Sequence, residues 1–176
     1  MKLSILDQIP VAKGRTSTEA HAASIEIAKL GDALGYERMW LAEHHNTTSI
    51  ASSAPEISAA HLAAITNRMR IGTGGVMMMH YSPYKIAEVF KTLSALSPGR
   101  IDLGVGRAPG GDMAAMVALA SGKRPYVDEQ YDKLETILHI LNGINQLRFT
   151  EAVSEVFAHL LRHIRNGYNR TAKALV

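Results

Sequence analysis

The 176-residue chain is 47% hydrophobic, which suits one well-buried core rather than two full domains. It contains no cysteine, and this excludes disulfides, thiolate nucleophiles and metal sites built on cysteine. The net charge of +3 arises in residues 145–176, where dispersed cations form no basic run, so a solvated helix face explains them better than a nucleic-acid or membrane surface.

The sequence predicts a soluble, cytoplasmic protein that folds as a single domain over residues 1–176. No segment approaches the roughly 20 consecutive apolar residues that a membrane span requires. The apolar run at the N-terminus is short and is broken by Asp7, Gln8 and Pro10, so it lacks the pattern of a targeting signal.

The first strand–helix unit is predicted near the N-terminus. Residues 2–6 form a short apolar segment that favours a strand. Thr16 and Glu19 then have the spacing of a capping box, which predicts a helix running to about Leu34. Gly35 is placed to end that helix.

The second unit begins at residues 37–42, a predicted strand. Its apolar run, residues 39–42, shows no alternation, which is typical of a strand buried on both faces in a parallel sheet. Ser53 and Glu56 again have capping-box spacing, and Pro55 fits the first turn of a helix to about Thr66.

Two further strands are predicted at residues 69–75 and 100–105. Between them Ser82 and Pro83 start a helix, which residues 97–99 end with a turn. That helix carries its apolar residues on one face: Ile86, Val89, Phe90 and Leu93.

A glycine-rich loop, residues 106–112, follows the fourth strand. We predict a short helix at 113–120 and an amphipathic helix at 128–141, which Gly143 can cap. A further amphipathic helix is predicted at 150–166, with Thr150 as its cap. Strands alternating with helices in this way imply right-handed crossovers and a parallel sheet in the order 1-2-3-4, either open or part of a barrel.

Three motifs at the ends of strands two, three and four carry a family resemblance: WLAEHHN, IGTGGVMMMHYSP and RIDLGVGRAPGGD. In this order and spacing they resemble the bacterial-luciferase-like family of flavin-dependent monooxygenases over roughly residues 1–143. The family fold is an eight-stranded (β/α) barrel with reduced FMN at its C-terminal mouth. The resemblance therefore implies an α/β fold of the TIM-barrel type, truncated to about four βα units, with 144–176 as a divergent helical extension.

The histidines after strand two are the main candidates for chemistry. Barrel active sites lie at the C-terminal ends of strands, and His44 suits proton chemistry because imidazole titrates near neutral pH. Glu43 is placed to orient it. The resemblance implies a catalytic role for His44 and Glu43 and a substrate pocket that includes His45 and His80. The alternative is that Glu43 and His45 are structural and hydrogen-bond buried backbone in adjacent loops.

The cofactor implied by the resemblance is FMN, used in its reduced form, with a deazaflavin as the less favoured alternative. Gly74 and Gly75 would place bare backbone against a flat ring. Their peptide bond is often cis in the family, so we predict a cis bond here, with a β-bulge as the alternative. The residues expected to contact the cofactor are Gly74, Gly75, Val76, Gly106, Arg107 and Ala108.

A flavin phosphate would suit Arg107, with Arg124 as a second candidate. The alternative for both arginines is a surface ion pair with Asp112 or Asp128. Three methionines, residues 77–79, precede His80, and plain core is the better interpretation for at least two of them.

Three other motifs are weaker. Gly104, Gly106 and the following Gly110-Gly111 depart from the GxGxxG dinucleotide fingerprint, and Pro109 interrupts the required helix start. His159 and His163 are four residues apart but lack the glutamate of a metalloprotease helix. A metal site built from the histidines at 44, 45, 61 and 80 is disfavoured because His61 lies in mid-helix.

Two hypotheses of function follow. In the first, the protein is an oxidoreductase that uses reduced FMN, supplied by a separate flavin reductase, and O₂ to oxygenate a small organic substrate. In the second, it is a non-catalytic half-barrel that dimerises and binds flavin weakly or not at all. Four strands taken from a barrel expose two edges and an apolar inner face, so we expect a homodimer or coverage by the 150–166 helix.

Overall fold

A parallel sheet of four strands organises the molecule, and the computed structural model describes residues 1–121 and 130–142. The strands follow chain order across the sheet: β1 (Ser4–Asp7), β2 (Arg38–Leu41), β3 (Arg70–Met77) and β4 (Ile101–Gly106). Five helices accompany them: α1 (Ser17–Leu34), α2 (Pro55–Ile65), α3 (Pro83–Leu96), α4 (Met113–Leu119) and α5 (Gln130–Asn142).

The predicted α/β half-barrel is confirmed, because all three strand pairings are parallel and the order is β1-β2-β3-β4. The predicted extension 144–176, its helix at 150–166 and the cap at Thr150 lie outside the described residues. None of the helices in the described ranges is long and apolar enough to cross a membrane.

The helix boundaries follow the predicted signals at α1, and at α2 the proline in the first turn and the end near Thr66 are as predicted while the capping box is not. Thr16 and Glu19 form the expected capping box at the start of α1, and Gly35 ends the helix with φ of 80°. The predicted box of Ser53 and Glu56 is wrong. The residue before α2 is Ala54, which has no side-chain oxygen, and Pro55 instead supplies a fixed helical φ without needing a hydrogen bond.

The hydrophobic core lies between the sheet and the helices. Side chains from β2 and β3 alternate into it, with Met39, Leu41 and Ile71 fully buried. On the helical side, the core is completed by Phe90 of α3 and Ile137 of α5, which are both buried. Full burial of such side chains contributes roughly 1.5–3 kcal/mol each, so this outer layer holds the helices on the sheet.

The opposite, inner face of the sheet is only half covered. Trp40 is partly exposed, and Leu6, its register partner in β1, is 63% exposed. The prediction that β2 is buried on both faces is therefore wrong for this side. The reason is that no strand of the described residues lies opposite the inner face or pairs with the outer edges of β1 and β4.

A charged cluster crosses the inner face near the amino ends of the strands. Asp102 of β4 accepts hydrogen bonds from Arg38 and Arg70, and it is 8% exposed. The guanidinium of Arg38 also lies 5.1 Å from the centre of the Trp40 ring. The cluster joins β2, β3 and β4 through side chains, and its carboxylate is paired, as a buried charge must be.

A second buried carboxylate, Asp32 of α1, holds the turn that leads into β3. It accepts the backbone N–H groups of Asn67, Arg68 and Met69 at 2.6–2.9 Å. Burial alone would raise the pKa of Asp32, but these hydrogen bonds, with the nearby Arg68 charge, outweigh it and hold the pKa below its ordinary value.

We expect Asp32→Ala to lower the free energy of unfolding at pH 7 by about 2 kcal/mol, because the buried N–H of Met69 loses its acceptor. A carboxylate whose folded pKa is lowered stabilises the fold above its unfolded pKa, near 3.9, and this contribution disappears as pH falls through the folded value. The difference from wild type should therefore shrink below about pH 4. Urea denaturation at pH 7 and in acid measures it.

The matched control is Glu26→Ala, which removes an exposed carboxylate from the same helix and should have little effect. A stability difference for Asp32→Ala that is the same in acid as at neutral pH would contradict the assignment.

Candidate active site

Glu43 is the centre of a polar network at the carboxyl end of β2. Its side chain is fully buried. Oε1 accepts from His45 Nε2 and from the Tyr81 hydroxyl, both at 2.7 Å, and Oε2 accepts the backbone N–H of Met77 at 2.9 Å. These three donors compensate for the loss of water around a buried carboxylate.

The structure pairs Glu43 with His45 and not with His44, the partner that we expected it to orient. Neighbouring residues in extended backbone point to opposite sides, so Glu43 reaches the side chain two positions on. The contact with Met77 N–H agrees with the structural alternative for Glu43, which is that it satisfies buried backbone in an adjacent loop. Its predicted direct role in catalysis stays a prediction.

Two buried imidazole nitrogens have no hydrogen-bond partner among the described residues, His44 Nδ1 and His80 Nδ1. His80 Nε2 is 2.6 Å from the carbonyl oxygen of Pro109, and it must carry the proton because a carbonyl only accepts. In a neutral ring His80 Nδ1 is then a buried acceptor. The rings of His45 and His80 meet edge to face at 5.5 Å, so both predicted pocket histidines belong to one cluster.

A surface without side chains lies at the end of β3. The Gly74–Gly75 peptide bond is cis, as predicted, and the register with β4 shifts between Thr73 and Val76, at the place where a bulge was the alternative. Gly74 is exposed, and a Cβ there would lie 3.1 Å from Trp40 Cβ. A Cβ on Gly75 would lie 2.7 Å from the carbonyl carbon of Val105, which leaves no room for a side chain.

The residues that follow the glycines are mainly core. Met77, Met78 and Met79 are 9%, 3% and 8% exposed, and this confirms plain core for at least two of them. Val76 is 4% exposed and packs in the same core, so only its backbone is available for the predicted cofactor contact.

The loop after β4 is tied to the loops after β2 and β3. His45 N–H donates to Gly110 O at 2.7 Å, His80 donates to Pro109 O, and Asn46 Nδ2 donates to Asp112 Oδ2 at 2.8 Å. Gly110 has φ of 65°, and a Cβ there would meet Met77 Cγ at 2.9 Å, so a side chain would strain both the backbone and this contact.

Arg107 is exposed in this anchored loop, next to Gly106 and Ala108. The predicted alternative, an ion pair with Asp112, is not formed. The Asp112 carboxylate accepts from Ala115 N–H and from Asn46, and these bonds, in that order, hold its pKa below the ordinary value. Asp128 and Arg124 lie outside the described residues.

A second carboxyl group is coupled electrostatically to the network. Burial raises the pKa of Glu56, which stands in the first turn of α2, and the negative charge of Glu43 acts in the same direction. The backbone N–H of Glu56 opposes both effects. Carboxyl groups whose pKa is raised are often found at functional sites, and the Glu56 carboxyl group lies near enough to feel the charge of His45.

Sequence reasoning missed several residues of this site. Tyr81 and Lys133 are the clearest, the latter donating to the carbonyls of Met78, Met79 and Tyr81 at 3.3 Å each. Tyr81 follows His80 directly in the third-strand motif, which was the available signal. Lys133 lies on a distant helix, and no local pattern marks it.

The site also meets simple requirements of a planar, anionic cofactor. Exposed backbone at Gly74 offers a face for a flat ring, and Arg107 offers a cation at the end of the neighbouring strand. Two buried nitrogens near the strand ends, His44 Nδ1 and His80 Nδ1, also lack a hydrogen-bond partner among the described residues. Within the described ranges, no three His, Cys, Asp or Glu residues are grouped to hold a metal ion.

Comparison with known proteins gives a consistent result. The family model for luciferase-like monooxygenases matches residues 1–165. The N-acetyl-S-alkylcysteine monooxygenase of Bacillus subtilis is 46% identical over 141 residues, which are 80% of this chain and 42% of that protein. The chain thus spans less than half the length of this curated relative.

Solved structures agree on the fold. The crystal structure of apo-MsnO8 is 47% identical, with a TM-score of 0.78 over 85% of this chain and 45% of that one. The oxygenating constituent of 3,6-diketocamphane monooxygenase from Pseudomonas putida, solved in complex with FMN, is 20% identical, with a TM-score of 0.66 over 80% of this chain and 38% of that one. At that identity the second likeness concerns the fold alone.

The hydrogen bond between Tyr81 and Glu43 yields a prediction about stability. Burial, and then the bond to Glu43, raise the pKa of Tyr81 well above its ordinary value. We expect Tyr81→Phe to cost about 1–2 kcal/mol near neutral pH, because the buried carboxylate loses a donor. A group with a raised folded pKa stabilises the fold below its unfolded pKa, near 10, and this contribution is lost as pH rises through the folded value.

The deficit of Tyr81→Phe should therefore become smaller above about pH 10, when urea denaturation is compared at pH 8 and pH 11. Tyr84→Phe is the matched control, since Tyr84 is 60% exposed. Equal deficits for the two variants at pH 8 would show that the Tyr81 hydroxyl does not stabilise Glu43.

Proposed function

This chain belongs to the luciferase-like monooxygenase family, and we propose that it binds FMN at the carboxyl ends of β2, β3 and β4 and supports flavin-dependent oxygenation of a small organic substrate. The observation that carries this proposal is the pairing of side-chain-free backbone at Gly74 with a cation, Arg107, on the neighbouring strand end. One relative is named as a monooxygenase, and a fold neighbour is solved with FMN.

Residues of three strand ends would hold the cofactor. Gly74 and Gly75 would lie against the flat ring system, with backbone contacts from Val76, Gly106 and Ala108, and Arg107 would bind the phosphate. When bound, reduced flavin supplies the two electrons that let O₂ give one oxygen atom to the substrate while the other leaves as water. The protein's part is to position the ring and the substrate and to exclude water.

His44 is proposed as the group that holds or moves a proton in this site. Its Nδ1 is buried and has no partner among the described residues, and a molecule bound at the strand ends would supply the missing partner. His45 and His80 would line the substrate pocket, and Glu43 would act by fixing His45, since its carboxylate is already occupied by three donors.

The source of reduced FMN is proposed to be a separate flavin reductase, because the glycine motif at the end of β4 departs from the dinucleotide-binding fingerprint. A deazaflavin is the alternative cofactor. The cytoplasmic location predicted from the sequence stays a prediction.

We propose a second copy of the chain as the partner that covers the open face. Leu6 on the inner face and Leu3 near the edge strand β1 are 63% and 46% exposed. A two-fold axis along the barrel axis would place β4 of one copy parallel to β1 of the other, and two copies would supply the eight strands of a closed barrel. Burial of exposed leucines and strand edges would then favour association.

Binding of FMN to the purified chain tests the proposed function. We expect saturable quenching of flavin fluorescence, and Arg107→Ala should weaken FMN binding about tenfold to a hundredfold, because a charge-assisted contact to the phosphate is lost. Lys29→Ala removes an exposed cation from the C-terminal part of α1, the end of that helix that leads into the amino end of β2, and serves as control. If oxidised FMN, reduced FMN and a deazaflavin all fail to show saturable binding, the flavin-dependent function is contradicted. The protein would then fit the second hypothesis, a non-catalytic half-barrel.

The same protein allows a test of His44. Reduced FMN and O₂ yield oxidised FMN and H₂O₂ when no substrate is present, and stopped-flow absorbance follows the rate. We expect His44→Gln to keep the FMN affinity but to flatten the pH dependence of this rate near neutral pH. An unchanged pH profile would remove His44 from the proton chemistry.

The proposed association is tested by sedimentation velocity. Leu6→Asp should shift a dimer to monomer, because a charge would be buried at the inner face. Leu30→Asp is the matched control, since Leu30 is 60% exposed on α1 and lies on the helical layer. A monomer in the wild type at high protein concentration, or equal dissociation of both variants, would contradict pairing through the inner face.

A further inference from the structure

Helix α5 holds Arg107 through both its backbone and its side chain. Arg107 Nη1 donates to the Tyr131 hydroxyl at 2.7 Å, and its guanidinium carbon lies 5.8 Å from the centre of the Tyr131 ring. Gln130 Nε2 donates to the Arg107 carbonyl oxygen at 3.2 Å. One turn of α5 therefore sets where the arginine stands and which way it points.

The Arg107 charge is not neutralised by a carboxylate in the described parts of the chain. None of the ion pairs there includes it. Its side-chain hydrogen bond to Tyr131 uses one of five guanidinium N–H donors and goes to a neutral oxygen. Among the described residues, the other guanidinium donors have no side-chain partner and the positive charge has no carboxylate beside it, so both can serve a bound anion.

The Tyr131 hydroxyl can also donate a hydrogen bond through its own O–H. A phenol oxygen can accept one hydrogen bond and donate another, and here the acceptor side faces Arg107. The phenol proton is then directed to a different acceptor. An anion that binds the Arg107 guanidinium comes within reach of this proton, because the two groups are in direct contact.

We propose that Tyr131 is a second phosphate-binding residue, donating its hydroxyl proton to the same phosphate monoester that Arg107 binds. Phosphate oxygens accept several charge-assisted hydrogen bonds, and two donors on different elements fix the phosphate better than one flexible cation. This proposal rests on the proposed function and deepens it by assigning to α5 a part in recognition of the flavin phosphate.

The distinguishing experiment compares FMN with riboflavin, which has the same ring system and lacks the phosphate. Fluorescence titrations are made with wild type, Tyr131→Phe and Tyr84→Phe. Tyr131→Phe keeps the aromatic ring beside Arg107 and removes only the hydroxyl. We expect it to bind FMN about tenfold more weakly and riboflavin unchanged, while the exposed control Tyr84→Phe binds both as the wild type does.

The FMN-to-riboflavin affinity ratio separates a phosphate contact from a general structural effect. Equal weakening of both flavins by Tyr131→Phe, or no weakening of either, would overturn the proposal while leaving the proposed function intact. Inorganic phosphate, titrated by calorimetry, is the second probe, and loss of its binding in Tyr131→Phe would support the phosphate site independently of the ring. A wild type that binds neither flavin nor phosphate would overturn both proposals.

Discussion

The buried carboxylate of Glu43 imposes the constraint on which the site depends. A carboxylate without water is stable only when donors surround it, and the three donors here come from the loop after β2, the end of β3 and the turn that follows β3. His45 is thereby fixed, and its backbone in turn holds Gly110 in the loop after β4. One buried charge thus sets the relative positions of three loops that would otherwise be independent.

The order of the elements could be predicted because each rests on local chemistry. Alternating apolar strands and amphipathic helices predicted the parallel sheet, and Thr16 with Glu19 predicted the start of α1. Prediction failed where the outcome depends on contacts across the fold. Ser53 does not cap α2 because the helix starts at Pro55, and Trp40 is partly exposed because no strand of the described residues lies opposite the inner face.

The candidate site shows the same division. The motifs at strand ends predicted one convergent site, and the rings of His45 and His80 do meet, because parallel strands bring their carboxyl ends to one edge. Which side chain Glu43 would bind could not be predicted, because that depends on the direction of the chain after β2. Tyr131 was beyond reach for another reason: it lies 24 residues from Arg107, and only the packing of α5 brings them together.

The indole of Trp40 makes the inner face optically visible. It is the only tryptophan in the chain, so the protein's indole emission reports on one place. Its ring packs against Gly72 and stands beside the guanidinium of Arg38, on the side of the sheet that is half open. Another chain or a planar ligand that binds over that face would remove water from the indole ring. The emission of Trp40 would then shift to shorter wavelength or be quenched, so binding could be followed without an added label.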